Sequence, residues 1–325
     1  MKTKVPIDIV IPTMNRTAGL RRTLQGIYNS EVHPQKIIIV DQSEDRSKQL
    51  EIQNMLEYEF NTLNIKYLFQ PEPSLTKARN NGFKLTTSEI VICMDDDVDI
   101  KLDTIYNVYK LMNNSSVSMI AGMDSGYICK GKKISSMMGY IFYKKSFLKR
   151  KIGHVTKSNF GRFPSNIKGT VNTEWAMGFF FVIRKSLVEK WNLKWDEKLI
   201  SYAYAEDLDF SYQYYLKSRE EKYECIMHES IIVTHLATKE WRISNRKELF
   251  MLIINRLYLN YKLFKSPFAR IAYQWTNIGL LIEKIVYKDN YKEYLYLWNL
   301  AIKYRKKIKL GEIPYHLIID KEDDI

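Results

Sequence analysis

Three consecutive acids, Asp95, Asp96 and Asp97, close an almost continuous apolar run, EIVICMDDDVD. In extended backbone alternate side chains share a face, so Asp95 and Asp97 can point together while Asp96 points away or caps the turn. Two carboxylates on one face suit a hard divalent cation, which takes oxygen ligands and keeps phosphate and water in its shell. The same triplet also describes a solvated acidic turn. His235, in IIVTHLAT, can complete such a site, because ions such as Mn²⁺ accept mixed nitrogen and oxygen ligation. Its alternative is a core histidine bonded to backbone, and His228 is a second candidate. Glu206, Asp207 and Asp209 in AEDLDFSY can supply a general base for a hydroxyl, or favour a helix N-terminus. Lys77 and Arg79 in SLTKARNNG, and Arg16, are either phosphate contacts or surface charges, arginine acting as a planar fork and lysine as a point charge. Gly178, in AMGFFFVIRK, marks a bulge or a close approach by a ligand.

These residues need a scaffold that brings them together. Residues 5 to 100 alternate β-branched runs (VPIDIVIPT, KIIIVDQS, IKYLFQ, EIVICM) with helical stretches (TAGLRRTLQGIYNS, RSKQLEIQNMLEYEF, SLTKARNNGFKLTT), which is a βαβ rhythm. Such runs indicate buried parallel strands with helices on both faces, and ligands bind beyond the carboxyl ends of those strands. Three strand ends carry polar residues able to serve one site: Thr13, Asn15 and Arg16, then Asp41 and Ser43, then Asp95 to Asp97. No GxGxxG follows the first strand and no GxxxxGK[ST] occurs, so the dinucleotide fingerprint and the P-loop are both absent. Residues 126 to 172 hold two basic clusters, KGKK (130–133) and KKSFLKRK (144–151), and read as hairpin and mobile loop. A strand is expected in TEWAMGFFFVIRK (173–185), a helix in AEDLDFSYQYYLK (205–217) and a strand around IIVTHL. From 239 to about 309 the pattern turns to helices rich in Tyr, Lys and Leu, broken near Pro267.

The chain has 325 residues, 46% of them hydrophobic and 27% charged, with 13 Gly and 8 Pro, which excludes collagen-like, low-complexity and wholly disordered classes. Cys93, Cys129 and Cys225 lie far apart with no CxxC pair, so neither a disulfide framework nor a zinc cluster is expected and a reducing compartment fits. No signal-peptide core opens the sequence and no apolar run is long enough to cross a bilayer. Lys and Arg number 50 against 37 Asp and Glu, a net charge of +13. Residues 239–309 contribute 16 Lys/Arg against 5 Asp/Glu, a surplus of 11, so the basic character belongs mainly to the C-terminal third. That surplus fits nucleic acid, an anionic membrane or phosphorylated substrates, and charge alone does not choose among them.

Taken in order, VIPTMNR, VDQSED, PSLTKARNNG, MDDDV, WAMGFFFVIRK, AEDLDFSY and THL resemble family 2 of the inverting glycosyltransferases, over about residues 5 to 238. The resemblance implies an α/β GT-A fold, a Rossmann-like mixed sheet flanked by helices, with residues 1–238 as the catalytic domain and 239–325 as a basic, aromatic-rich helical extension. It implies a nucleotide-sugar donor, UDP-linked by preference, held by Pro12, Thr13, Asn15, Arg16, Asp41, Ser43, Lys77, Arg79, Asp95 and Asp96. Asp95, Asp97 and His235 would carry Mn²⁺ or Mg²⁺, Asp207 would be the catalytic base, and Trp175, Gly178 and Glu206 would shape the acceptor and sugar pocket. The expected acceptor is a glycan or a lipid-diphosphate-linked hydroxyl in surface polysaccharide synthesis, and no nucleic acid is expected as partner. The expected location is cytoplasmic; in the C-terminal third, basic residues combined with Tyr258, Tyr261, Trp275, Tyr287, Tyr291, Tyr294, Tyr296 and Trp298 suit a surface resting on the inner face of an anionic membrane, the alternative being that these aromatics pack against the catalytic domain and the lysines solubilise it. The rival readings are a nucleotidyltransferase, which would release pyrophosphate, and a non-enzymatic protein binding nucleic acid or sugar nucleotides.

Overall fold

A computed structural model describes residues 2–126, 133–164, 167–200, 203–236 and 244–319. The 130–132 part of the KGKK cluster, Cys129, the proposed division at 238/239 and the acidic end DKEDDI lie outside the described residues. The alternation at the start of the chain is β1 (Lys4–Thr13), α1 (Thr17–Asn29), β2 (His33–Asp41), α2 (Arg46–Tyr58), β3 (Ile65–Phe69), α3 (Leu75–Lys84) and β4 (Ile90–Met94). β1 pairs in parallel with β2 and β4, and β2 with β3. Both β1 beyond Ile7 and all of β4 are buried, as continuous apolar runs covered on both faces must be.

The middle of the chain supplies β5 (Val98–Asp99), α4 (Thr104–Met112), β6 (Val117–Ala121), β7 (Met123–Asp124), α5 (Lys133–Ile141), β8 (His154–Val155), β9 (Gly161–Arg162), β10 (Thr170–Asn172), β11 (Phe180–Arg184), α6 (Lys185–Lys190), α7 (Glu206–Glu220), β12 (Glu224–His228) and β13 (Ile232–His235). The main sheet has the order β10-β12-β6-β11-β4-β1-β2-β3. It is mixed, because β11 runs antiparallel to both β4 and β6. A second sheet, β5-β13-β7, pairs His235 with Val98, next to the acidic triplet.

Two expectations change. Residues 126–172 do hold the hairpin β8–β9, but also a helix, α5, and the edge strand β10. The strand expected over 173–185 spans only Phe180–Arg184, because Thr173 Oγ1 turns the chain by bonding the carbonyl and N–H of Trp175.

Apolar residues of α1, α2 and α4 cover one face of the sheet, and those of α3, α6 and α7 the other. On α3, a Cβ at Gly82 would lie 2.5 Å from Val10 Cγ1, so glycine lets this helix close onto β1. The chain ends in α8 (Asn245–Leu263), α9 (Pro267–Val286), α10 (Tyr291–Lys309) and α11 (His316–Ile319), with Pro267 opening α9 behind the Ser266 cap as expected. A third apolar cluster joins α8, α9 and α10 to Phe160, Leu199 and Ala203. Among the described residues no helix is long and apolar enough to cross a membrane. The aromatic set assigned to a membrane surface is corrected in part. Tyr258 and Tyr294 are buried, their hydroxyls donating to Asp196 and Asn277, because these helices need a core of their own.

Candidate active site

Beyond Met94 the chain turns out of the sheet, and the three acids separate. Asp95 accepts from Arg79 Nη2 at 2.8 Å and remains partly open to solvent. Asp96 is buried and points to the end of β1, accepting from Thr13 Oγ1 at 2.6 Å and from Arg16 Nη1 at 3.2 Å. Burial pushes its pKa up to about 7 against the opposing pull of Arg16 and Thr13. Its backbone is pinned as well, since Thr23 Oγ1 donates to the Asp96 carbonyl and accepts from the Val98 N–H. Asp97 lies 3.1 Å from His235 Nε2 and 3.5 Å from Arg16 Nη1.

The short second sheet is what delivers His235. The His235 ring stacks on Phe179 with centroids 5.4 Å apart, and the backbone N–H of His235 donates to Asp124 Oδ1. Burial alone would lower the imidazole pKa, but the hydrogen bond and charge of Asp97 outweigh it and raise the pKa above 6.5. Asp95, Asp97 and His235 each offer one ligand atom, all within 4.8 Å of one another. Two carboxylate oxygens and one imidazole nitrogen are a donor set that fits Mn²⁺ or Mg²⁺, with room left for phosphate oxygens. His228 stays outside this group, bonded to Ser230.

Arg79 links the acidic triplet to the start of α7. The fully buried guanidinium lies 3.0 Å from Glu206 Oε1 and donates to the Gly178 carbonyl at 3.0 Å as well as to Asp95. Burial pushes the Glu206 carboxyl up to about 8, Arg79 holding it lower than burial alone would. Asp207 accepts from the Gly178 N–H at 2.9 Å and from the Leu208 N–H at 2.7 Å, while burial raises its pKa against those two bonds. Ala203 and Ala205 adopt left-handed backbone, with φ of 52° and 70°, a conformation costly for residues with a Cβ. The strained turn delivers Glu206 and Asp207 to the first turn of α7, where the helix dipole favours carboxylates. Gly178 is required there: a Cβ would meet Arg79 Nη2 at 2.9 Å and Glu206 Oε1 at 3.1 Å.

Two cavities meet at Leu75 and Asp95. One, of about 300 Å³, is lined by Pro12, Thr13, Arg16, Gln42, Asp96 and Lys247 among others. The other, of about 340 Å³, is lined by Arg79, Trp175, Gly178, Glu206, Asp207 and His235 among others. A more open cavity of about 490 Å³ between α1 and residues 99–102 contains none of these groups. Asn15, Asp41, Ser43 and Lys77 line neither of the two joined cavities. The Asn15 N–H donates to Ser43 Oγ, Asp41 accepts from the Ser43 N–H and from Tyr67 Oη, and Lys77 pairs with Glu72 on the exposed face of α3. Sequence reasoning missed Gln42 and Glu44, although both lie inside VDQSED. It also missed Lys247, on α8, for which no local pattern gave a signal.

A mixed sheet that gathers an acid–imidazole cluster at its strand ends, between two joined cavities, defines a GT-A glycosyltransferase. The chain belongs to glycosyl transferase family 2, whose family model matches residues 8–191. It is 23% identical over 269 residues to the poly(ribitol-phosphate) β-N-acetylglucosaminyltransferase TarP of Staphylococcus aureus, covering 80% of this chain and 73% of that protein. Among solved structures it is similar to the mannosyltransferase PcManGT of Pyrobaculum calidifontis in complex with GDP-Man and Mn²⁺, with a TM-score of 0.55 and 14% identity over 98% of this chain and 88% of that one. Residues 1–349 of Staphylococcus aureus TarS give a TM-score of 0.50 and 16% identity over 98% and 82% of the two chains.

Proposed function

We propose that this glycosyltransferase moves a sugar from a nucleotide sugar, preferably UDP-linked, to a hydroxyl of a surface glycan or lipid-diphosphate-linked acceptor, with inversion at the anomeric carbon. The observation that carries the reading is the meeting of the two cavities at Asp95, with Asp207 on one side and the end of β1 on the other. The β1 side, with Thr13, Arg16 and Lys247, takes the nucleoside diphosphate; the Trp175, Glu206 and Asp207 side takes the sugar and acceptor. Asp95, Asp97 and His235 would hold Mn²⁺ or Mg²⁺, which supplies positive charge to the departing diphosphate. The acceptor oxygen bonds to the anomeric carbon as the bond from that carbon to the diphosphate oxygen breaks, and the acceptor proton passes to Asp207. The two N–H groups hold Asp207 in one rotamer, and the Arg79 guanidinium, fixed by Asp95 and Glu206, adds charge stabilisation beside the reaction. Arg79 Nη1 and Glu206 Oε2 are buried without hydrogen-bond partners among the described residues, and they are the atoms we assign to the bound sugar.

TarP is named for a polyanionic acceptor, poly(ribitol-phosphate), and a net charge of +13 supports an anionic acceptor here too. A lipid-diphosphate carrier would place the enzyme at the cytoplasmic face of a membrane. The test is a thermal-shift panel of UDP, GDP, dTDP and CDP, each with and without Mn²⁺. One nucleotide should stabilise the protein only with metal, by about 2.7 kcal/mol at a hundred times its Kd, and Asp97→Ala should lose the effect. No shift at millimolar nucleotide would defeat the donor assignment.

A further inference from the structure

α9 is amphipathic in the inverted sense. Its inward face is small or polar, with Ala269, Ala272, Thr276, Asn277 and Gly279 buried alongside Tyr273 and Leu280. Its outward face presents Phe268, Ile271, Trp275, Ile278, Ile282 and Ile285, spaced by three and four residues along one stripe, with Ile271 65% exposed. The helix cannot roll to bury that stripe. Thr276 Oγ1 donates to the Phe142 carbonyl at 2.7 Å, and Asn277 Oδ1 accepts from the buried Tyr294 hydroxyl at 2.8 Å. A Cβ at Gly279 would lie 2.2 Å from the Phe142 ring.

The apolar surface continues beyond α9. Trp275 Nε1 donates to the carbonyl of Ile141, itself exposed on α5, and Phe268 meets the Tyr143 ring. Tyr140 in turn packs against Phe147, next to Leu148, which is 94% exposed. Residues 144–151, KKSFLKRK, hold five cations; Lys144 pairs with Glu283 and Lys149 with Glu174, while Arg150 and Lys151 are exposed beside those two side chains. An exposed apolar stripe of this length beside a cation cluster calls for a covering partner.

The charges choose the occupant. A second helix docking along a three-four stripe is steered by flanking ion pairs, yet each charged residue of α9 is engaged within the chain. Arg270 donates to Asn260, Glu283 pairs with Lys144, and Lys284 pairs with Asp289. What remains is an apolar stripe with an aromatic at one end and a basic loop beside it, the pattern of a helix lying in a lipid interface. We propose that the outer stripe of α9, together with Phe147, Leu148, Arg150 and Lys151, docks on an anionic bilayer without crossing it. This surface is independent of the donor reading and of the acceptor chemistry.

Flotation of the full-length chain tests it, using vesicles of phosphatidylglycerol with phosphatidylcholine and vesicles of phosphatidylcholine alone. The protein should float with the anionic vesicles, and Ile271→Asp with Ile282→Asp should cut the bound fraction about tenfold. Arg150→Glu with Lys151→Glu should weaken binding and remove its salt sensitivity. All four positions are exposed and lie outside the two joined cavities, so each variant should keep the melting temperature and circular dichroism of the wild type and report an intact fold. No flotation of the wild type, or binding unaltered by the isoleucine substitutions, overturns the proposal. So does a dimer in light scattering that the same isoleucine substitutions dissolve, which would make a second copy the occupant.

Discussion

Asp207 receives two backbone N–H groups on different oxygens, which hold its carboxylate in one orientation, and it is buried enough for its pKa to rise above the ordinary 3.8. A base works deprotonated, so activity should rise with pH through this group and be lost on the acid side at a pH above 3.8. The acid limb of a kcat/KM profile measures it, and a limb at or below the ordinary aspartate value would remove Asp207 from the role. Asp207→Asn should lower kcat by about 10²- to 10⁴-fold while the metal-dependent nucleotide shift survives, because this residue does not line the β1-side cavity. At this scale the sequence was informative about residue types. It read Asp95 and Asp97 as a pair, and both do reach the His235 cluster. It did not show that Asp96 turns toward Thr13 and Arg16 and so anchors the loop to β1, because the alternation rule ends where the strand ends.

The elements bring these side chains together from distant parts of the chain. α3 reaches the site because Gly82 lets it close on β1, and its buried face then aims Arg79 at Asp95 and Glu206. α8 contributes from the other end of the chain. Its Ser244 cap fixes the first turn, and that turn brings Lys247 to the cavity beside Arg16. Lys247→Ala should raise the donor KM about tenfold with kcat little changed, the loss expected for one charge-assisted contact to a bound anion. Steady-state kinetics checks this, and an unchanged KM would place the lysine outside the donor site. The strands and most helices were legible because apolar runs and caps are local. α5, the shortened strand at Phe180 and the inverted face of α9 were not, because a stripe read from sequence does not say whether it faces a core or the outside.

Across the whole molecule, the core of the C-terminal helices extends to Phe160, Leu199 and Ala203 of the preceding region, and polar contacts reinforce the join. Arg256 of α8 is fully buried, donates to the Ser158 carbonyl at 3.0 Å and lies 4.1 Å from the centroid of the Phe160 ring, behind the wall of the Asp207-side cavity. Lys262 pairs with Asp196 at 2.7 Å and Asp209 at 2.6 Å, tying α8 to α7. We therefore propose that residues 1–238 and 239–325 are two regions of one cooperative unit. Calorimetry should show a single unfolding transition, and Arg256→Met should lower stability by about 2 kcal/mol by leaving the Ser158 carbonyl buried and unpaired. Two separated transitions would show the regions to be independent domains.

The sequence by itself determined the βαβ order, the polar strand ends, the acids at the start of α7 and the resemblance to a glycosyltransferase family. Each of these is written in neighbouring residues through propensity, periodicity or the order of short segments. Only the tertiary structure decided that His235 meets Asp97 across 138 positions (235 minus 97), that two cavities join at Asp95, that Lys247 faces one of them, and which side of α9 is outward. Those outcomes depend on how elements distant in the chain pack. Periodicity records which side chains share a face, whereas packing selects what that face meets.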